Sequence, residues 1–308
     1  IFRVPVNGVT GGFGLKIYIF RARTIAWVLC AVMAFITACG VAVGVVRGAG
    51  EIPKEDGLQV PIVMYHIILK DKAKTGKYTV TPAELESDLK YLKENGYTTI
   101  VMQDLIDYME TGSPLPKKPI ILTFDDGYYN NYYYAYPLME QYGMKMVLSI
   151  VGSYVDLATQ ENTNNPNYSY VTWEQVREMH ESGCVEIQNH SYDMHELSPR
   201  RGCSIMSGET EQVYHARLAE DLQKLQDRIS EQVDGYKPAC FTYPFGIVSR
   251  ESQQVVEQLG FTASLSCTEG VNYIDRDRDG GLYLLKRNLR PGNKSSESFF
   301  KGILADAL

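Results

Sequence analysis

Acidic residues are missing altogether from the first 50 positions of this 308-residue chain, which hold Arg3, Lys16, Arg21, Arg23 and Arg47. Beyond them the balance reverses: 25 Lys and Arg face 37 Asp and Glu, a net charge of −12. So acidic a body excludes nucleic acid as a partner, because phosphate backbones demand a basic face. It argues as well against anionic polymers bound by charge alone, and a neutral substrate suits it better. The six cysteines show no C-x-x-C spacing, so no zinc knuckle is indicated. There is no G-x-G-x-x-G loop either, which leaves a nucleotide cofactor without a cradle. Histidine is scarce, five in all, so two that fall close together beyond a strand carry weight.

Charge of either sign is missing from Thr24 to Val46, a run of 23 mostly apolar residues. As a helix it extends roughly 34 Å, enough to cross a bilayer core of roughly 30 Å. Lys16, Arg21 and Arg23 precede it and only Arg47 follows, so the amino terminus is expected in the cytoplasm. This divides the chain into a cytoplasmic tail (1–23), a transmembrane signal anchor (24–46), a linker (47–59) and a globular part (60–308) outside the cytoplasm at the cell membrane. A cleaved signal peptide is the nearest alternative. Ile36-Thr37-Ala38-Cys39 also resembles a lipobox, which would make Cys39 a lipidated first residue. Continuation of the apolar run past Cys39 favours the uncleaved anchor. Because the chain opens on Ile1, its first fifteen or so residues read as a shortened or misassigned start. Cys184, Cys240 and Cys267 sit in strand-like runs and are expected as small buried apolar residues. A location outside the cytoplasm permits disulfides but does not pair them.

What is present is organised around Ile120 to Gly127, I-I-L-T-F-D-D-G. An apolar, β-branched run bounded by Pro119 and an Asp-Gly turn reads as a buried strand. Side chains alternate along a strand, so Asp125 and Asp126 at its end can take different tasks, one holding a metal and one free as a base. Gly127 lets the backbone turn sharply beyond them. Other strands are expected over 60–66, 98–102, 146–151, 184–188, 238–243, 261–266 and 282–286. Helices are expected from the Thr81 capping box, through Leu105 and Met109, from Tyr128 to Gly143, over 173–181, 209–233 and 252–259, and at the carboxyl end. Residues 158–170 read as a polar, Asn-rich loop. Alternating strands and helices argue for parallel strands with helical crossovers, a distorted (β/α) barrel of about seven strands. A doubly wound open sheet is the alternative. His66, Asp125, Asp126, His190 and the Y-P-F-G turn all fall at carboxyl ends of strands, where such folds gather their working groups.

His190 and His195 are the natural partners for a strand-end carboxylate, two imidazoles and an oxygen that leave a zinc-like ion an open position. Five residues of helix rotate by about 500°, which would put the rings about 140° apart, so the segment must be an irregular loop. T-F-D-D-G, then H-S-Y-D-M-H, then Y-P-F-G, in this order, resembles the polysaccharide deacetylases of carbohydrate esterase family 4, over roughly Val60 to Arg290. The spacing of the two histidines and Y-P-F-G are similar to the poly-N-acetylglucosamine deacetylase branch. The resemblance implies metal-dependent removal of N- or O-acetyl groups from a cell-surface polysaccharide. It makes Asp125 the general base, and Asp126, His190 and His195 the ligands of one divalent ion, zinc first and cobalt or nickel as alternatives. It makes the Phe245 backbone N–H the oxyanion donor. Tyr128, beside Gly127, and Tyr243, at the head of Y-P-F-G, join Phe245 as residues facing substrate. Three positions depart from the family pattern, one of them Phe245, which replaces a tyrosine. Thr242 stands where an arginine normally orients the base, and Arg287 where a histidine normally acts as acid. Arginine stays protonated above pH 12 or so, so His66 becomes the candidate acid, with Asp125 itself as the other shuttle. A membrane-anchored polysaccharide-binding protein of the same fold, with little or no turnover, is the rival reading.

Overall fold

The computed structural model describes residues 57–277 and 281–304. The Thr24–Val46 run, with its tail and most of its linker, lies outside the described residues. Among the described residues no helix is long and apolar enough to cross a membrane.

Nine strands make one parallel sheet: β1 (Ile62–Tyr65), β2 (Thr98–Thr99), β3 (Pro119–Phe124), β4 (Met146–Ile150), β5 (Val185–Asn189), β6 (Cys240–Thr242), β7 (Ala263–Leu265), β8 (Leu282–Leu285) and β9 (Asn288–Leu289). Their order across the sheet is β8-β7-β6-β5-β4-β3-β1-β9, with β2 also paired to β3. The edge strands β8 and β9 are separated in sequence only by Lys286 and Arg287. Three steps of extended chain span roughly 10 Å. The sheet must therefore curl until its edges approach each other at Arg287. That is the expected distorted barrel, realised as a curled parallel sheet. It has more than the seven or so strands anticipated: the strand expected over 98–102 forms as the two-residue β2, and β9, also two residues long, is too short to show in a pattern.

Alternation along the strands sorts the core into two faces. On β3, Ile120, Leu122 and Phe124 face outward into a cluster with Val63, Leu148 and Ile187 and the helices around the sheet. Ile121 points inward, with Ile62, Val147, Cys240 and Leu265. Every residue of β3 is buried, as a strand covered on both faces requires. Period two carries the inward series from Ile121 through Thr123 to Asp125, which places that carboxylate at the top of the interior.

The helices are α1 (Pro82–Glu94), α2 (Met102–Thr111), α3 (Tyr136–Tyr142), α4 (Gly152–Glu161), α5 (Trp173–Glu181), α6 (Glu211–Gln232), α7 (Arg250–Gln258) and α8 (Ser296–Ile303). The Thr81 capping box is made in full: Thr81 Oγ1 accepts the Glu84 N–H, and the Glu84 carboxylate accepts the Thr81 N–H. On α6, Tyr214, Leu218, Leu222, Leu225 and Ile229 form the buried stripe. Helix α4 corrects the expectation of a loop from residue 158, and the loop proper is 162–170. This helix starts on Gly152 without a side-chain cap, so no start signal marks it. Gly152 is needed there, since a Cβ would lie 2.5 Å from the Tyr192 ring. The four described cysteines are free; Cys203 and Cys240 are buried, but Cys267 is exposed, against expectation, because it lies beyond the end of β7.

Candidate active site

Asp126 stands two residues beyond β3, His190 one residue beyond β5, and His195 five further along an irregular loop. One ligand atom from each lies within 4.8 Å of the others. Nε2 of His195 is 3.1 Å, and Nε2 of His190 3.4 Å, from the same Oδ1 of Asp126. The sequence expected Asp125 and Asp126 to part company by strand alternation; alternation does carry Asp125 inward, but Asp126 lies in the turn that follows β3. Asp126 adopts a left-handed conformation at φ 74°, followed by Gly127 at φ 73°. The loop carrying His195 is shaped by two carboxamide and carboxylate acceptors. Asn189 Oδ1 accepts the Ser191 N–H, and the Asp221 carboxylate on α6 accepts the N–H groups of Tyr192 and Asp193.

The donor set fits a divalent cation. His190 Nδ1 lies 2.7 Å from the Thr242 carbonyl oxygen, which can only accept, so Nδ1 carries a proton and Nε2 is the nitrogen that faces Asp126. Burial opposes ionisation of Asp126, yet the two imidazoles outweigh it and hold the carboxyl far below the usual range. Burial likewise disfavours a charged His195, but Asp126 pulls its pKa up. The three side chains thus attract positive charge to one point.

Asp125 is buried and bonded to Arg287, whose Nη1 donates to Asp125 Oδ1 at 2.8 Å and to Thr123 Oγ1 at 3.1 Å. Arg287 Nε donates to the Ser266 carbonyl at 2.8 Å. Burial works against the Asp125 charge, but Arg287 foremost, then His190 and His66, more than compensate and lower its pKa. Arg287 therefore supplies the orienting cation that the Y-P-F-G segment lacks. Thr242, in the place expected to carry it, is fully buried and shares a hydrogen bond of 2.7 Å with Ser149 Oγ. Nothing in L-L-K-R-N announces this role. It follows from the near-closure of the sheet between β8 and β9, which only the fold shows.

His66 follows β1, its ring edge-on to Tyr78 with centroids 5.1 Å apart. Its Nδ1 is buried without a partner. Burial lowers its pKa, opposed by Asp125 and Asp126, so it belongs to the same electrostatic cluster. Phe245 lies in a left-handed turn (φ 55°), its ring 4.5 Å from that of His195. Tyr128 stacks on Tyr170 at 5.1 Å, and Tyr170 meets Tyr154 at 4.4 Å. The Tyr154 hydroxyl donates to the His195 carbonyl, which joins this aromatic wall to the loop of ligands. Tyr154 and Tyr170 escaped the sequence reading because one lay in the unrecognised helix and the other in the Asn-rich loop. Tyr243 is a correction. Its side chain is completely buried with Phe241, Met194 and Tyr214, and offers no surface to a substrate.

Residues 112–264 match the family model described as polysaccharide deacetylase. The Bacillus subtilis protein YxkH, described as a polysaccharide deacetylase, is 28% identical over 246 residues, which cover 80% of this chain and 76% of that protein. The poly-beta-1,6-N-acetyl-D-glucosamine N-deacetylase of Escherichia coli K12 is 24% identical over 229 residues, 68% of this chain and only 34% of the relative's length. Among solved structures, a de-N-acetylase from Aggregatibacter actinomycetemcomitans superposes with a TM-score of 0.65 at 28% identity, covering 81% of this chain and all of that one.

Proposed function

We propose, from the polysaccharide deacetylase domain that this chain carries, that it hydrolyses acetyl groups on a cell-surface polysaccharide, most closely an N-acetylglucosamine polymer. The reaction is hydrolysis of an acetamide, a carbon–nitrogen bond outside peptides, with an acetyl ester as the lesser alternative. The observation that carries this reading is a buried carboxylate, Asp125, fixed by Arg287 next to a converging Asp126, His190 and His195. Those three would hold one divalent ion, zinc by the mixed nitrogen and oxygen donor set. When bound, such an ion polarises the acetyl carbonyl and makes water more acidic.

The residues of the chain do the rest. Asp125 accepts a proton from the attacking water. Arg287 keeps Asp125 ionised and pointed at the cleft. The Phe245 N–H donates to the oxygen that gains charge in the tetrahedral intermediate. His66 delivers a proton to the departing amine, and Asp125 is the competing donor. A carboxyl of low pKa, once protonated, gives its proton up readily. The wall of Tyr128, Tyr170 and Tyr154 supplies flat apolar faces against which a sugar ring packs. Acetate and a free amine leave.

The Thr24–Val46 run would tether this domain to the cell membrane from outside the cytoplasm, where the polymer lies. Acetate release from acetylated chito-oligosaccharides, with zinc added, tests the activity. Binding of the oligomers without any release would instead favour a carbohydrate-binding role on the same fold.

A further inference from the structure

We propose that a lysine-rich loop, residues 70–77, forms a positively charged rim to the catalytic cleft and receives an anionic group of the polymer, carboxylate or phosphate, at a sugar beside the one deacetylated. The inference rests on the deacetylase reading and narrows its substrate class. Lys70, Lys72, Lys74 and Lys77 fall within eight residues with a single acid, Asp71, and all four are exposed. The part of the chain beyond residue 50 carries a net charge of −12, so an average over the sequence hides this concentration. Fields are local in salt water, decaying over roughly 8–10 Å, and a polymer on the rim meets the lysines rather than the distant acids.

The loop is held beside the site from three directions. At one end Tyr78 packs its ring on His66, and the Tyr78 carbonyl accepts the Ile67 N–H at 3.1 Å. Toward the aromatic wall, Lys74 Nζ donates to Asn167 Oδ1 at 3.0 Å, in the loop that also carries Tyr170. On the far side the Gly292 N–H donates to the Gly76 carbonyl at 2.9 Å. That approach is so close that a Cβ on Gly292 would lie 2.1 Å from Thr75 Cγ2 and 2.3 Å from the Thr79 carbonyl oxygen.

Behind the loop is a cleft of about 470 Å³ whose lining includes Lys72, Lys294, Thr75 and Asn293. The Thr75 hydroxyl is buried there with no hydrogen-bond partner. The acid within the loop and the acid lining the cleft are already engaged: Asp71 accepts the Ala73 N–H, and Glu84 accepts N–H groups from Thr81 and Asn293. Lys70 and Lys77 lie over the rings of Tyr134 and Tyr78, at 5.3 and 5.0 Å, an arrangement that steadies the ammonium groups while both residues stay exposed.

The test uses three N-acetylglucosamine oligomers of equal length: unsubstituted, carrying ether-linked carboxylates, and carrying phosphodiesters. Binding is measured by calorimetry and acetate release by assay, for the zinc-loaded protein and for a Lys72→Glu, Lys77→Glu double variant. The wild type should bind at least one anionic oligomer about 5–25-fold more tightly than the neutral one at low salt, as one or two exposed ion pairs allow. That preference should vanish in the variant and in about 0.5 M salt, while turnover of the neutral oligomer and metal content stay unchanged. Whichever anionic oligomer gains identifies the group. Equal binding of all three by the wild type, or an equal loss on all three in the variant, overturns the proposal. Absence of acetate from every oligomer would sink the deacetylase reading instead, and the binding arm would still decide the role of the rim.

Discussion

Arg287 and Asp125, 162 positions apart in sequence, form a fully buried pair at 2.8 Å. The cation comes from the two-residue link that brings the edges of the sheet together, and the anion from the end of a central strand. Removing one partner of such a pair strands the other charge. Arg287→Met should therefore destabilise the fold by about 3–5 kcal/mol, read from denaturant unfolding.

The same change should move the pH dependence of activity. With Arg287 present the Asp125 pKa is depressed, so the stabilisation it brings is present above the unfolded value and lost as pH falls through the folded one. Without Arg287, burial acts unopposed by the nearest cation and raises that pKa. Asp125, the proposed base, is then protonated at a higher pH, and the acid limb of the rate profile should shift upward. A profile superposing on that of the wild type would deny Arg287 its positioning role.

Glu186 gives a pH effect of opposite sign. Its buried carboxylate on β5 accepts the N–H groups of Met102 and Gln103 at the start of α2. Burial nonetheless pushes its pKa up to about 7. Between the unfolded value and about 7 the folded state holds a proton that the unfolded state lacks, so stability falls as pH rises through that window. Glu186→Gln should flatten the slope of Tm against pH there. An unchanged slope would place the titration elsewhere.

Phe245→Gly separates ring from backbone. Glycine takes the left-handed turn at no steric cost and keeps the N–H, so turnover should fall by less than the roughly 10²-fold expected when an oxyanion donor is lost. The packing on His195 goes, and metal affinity should weaken. If turnover instead drops by that full factor while the metal is retained, the ring itself takes part in the reaction.

The legible part of this protein was whatever depends on short-range pattern. The Thr81 cap, the helices over 173–181 and 209–233 and the buried β3 strand all rest on local devices, and each stands where its residues pointed. Asp126, His190 and His195 were legible because few histidines exist and these follow a strand. Closure of the sheet was not legible, since the edge strand β9 is only two residues long. The pairing of Arg287 with Asp125 was hidden with it. Tyr243 misled because it adjoins Pro244 and Phe245 in the motif, although its side chain turns into the core.

Metal content and acetate release, measured together on the wild type and Asp125→Asn, bear most directly on the central claim. Both proteins should hold about one equivalent of zinc, because Asp126, His190 and His195 are untouched. Release from acetylated chito-oligosaccharides should fall by roughly 10²–10⁴-fold in the variant, the usual worth of a general base. A variant that empties the metal site, or one that releases acetate at the wild-type rate, would contradict the assignment of Asp125 as the base.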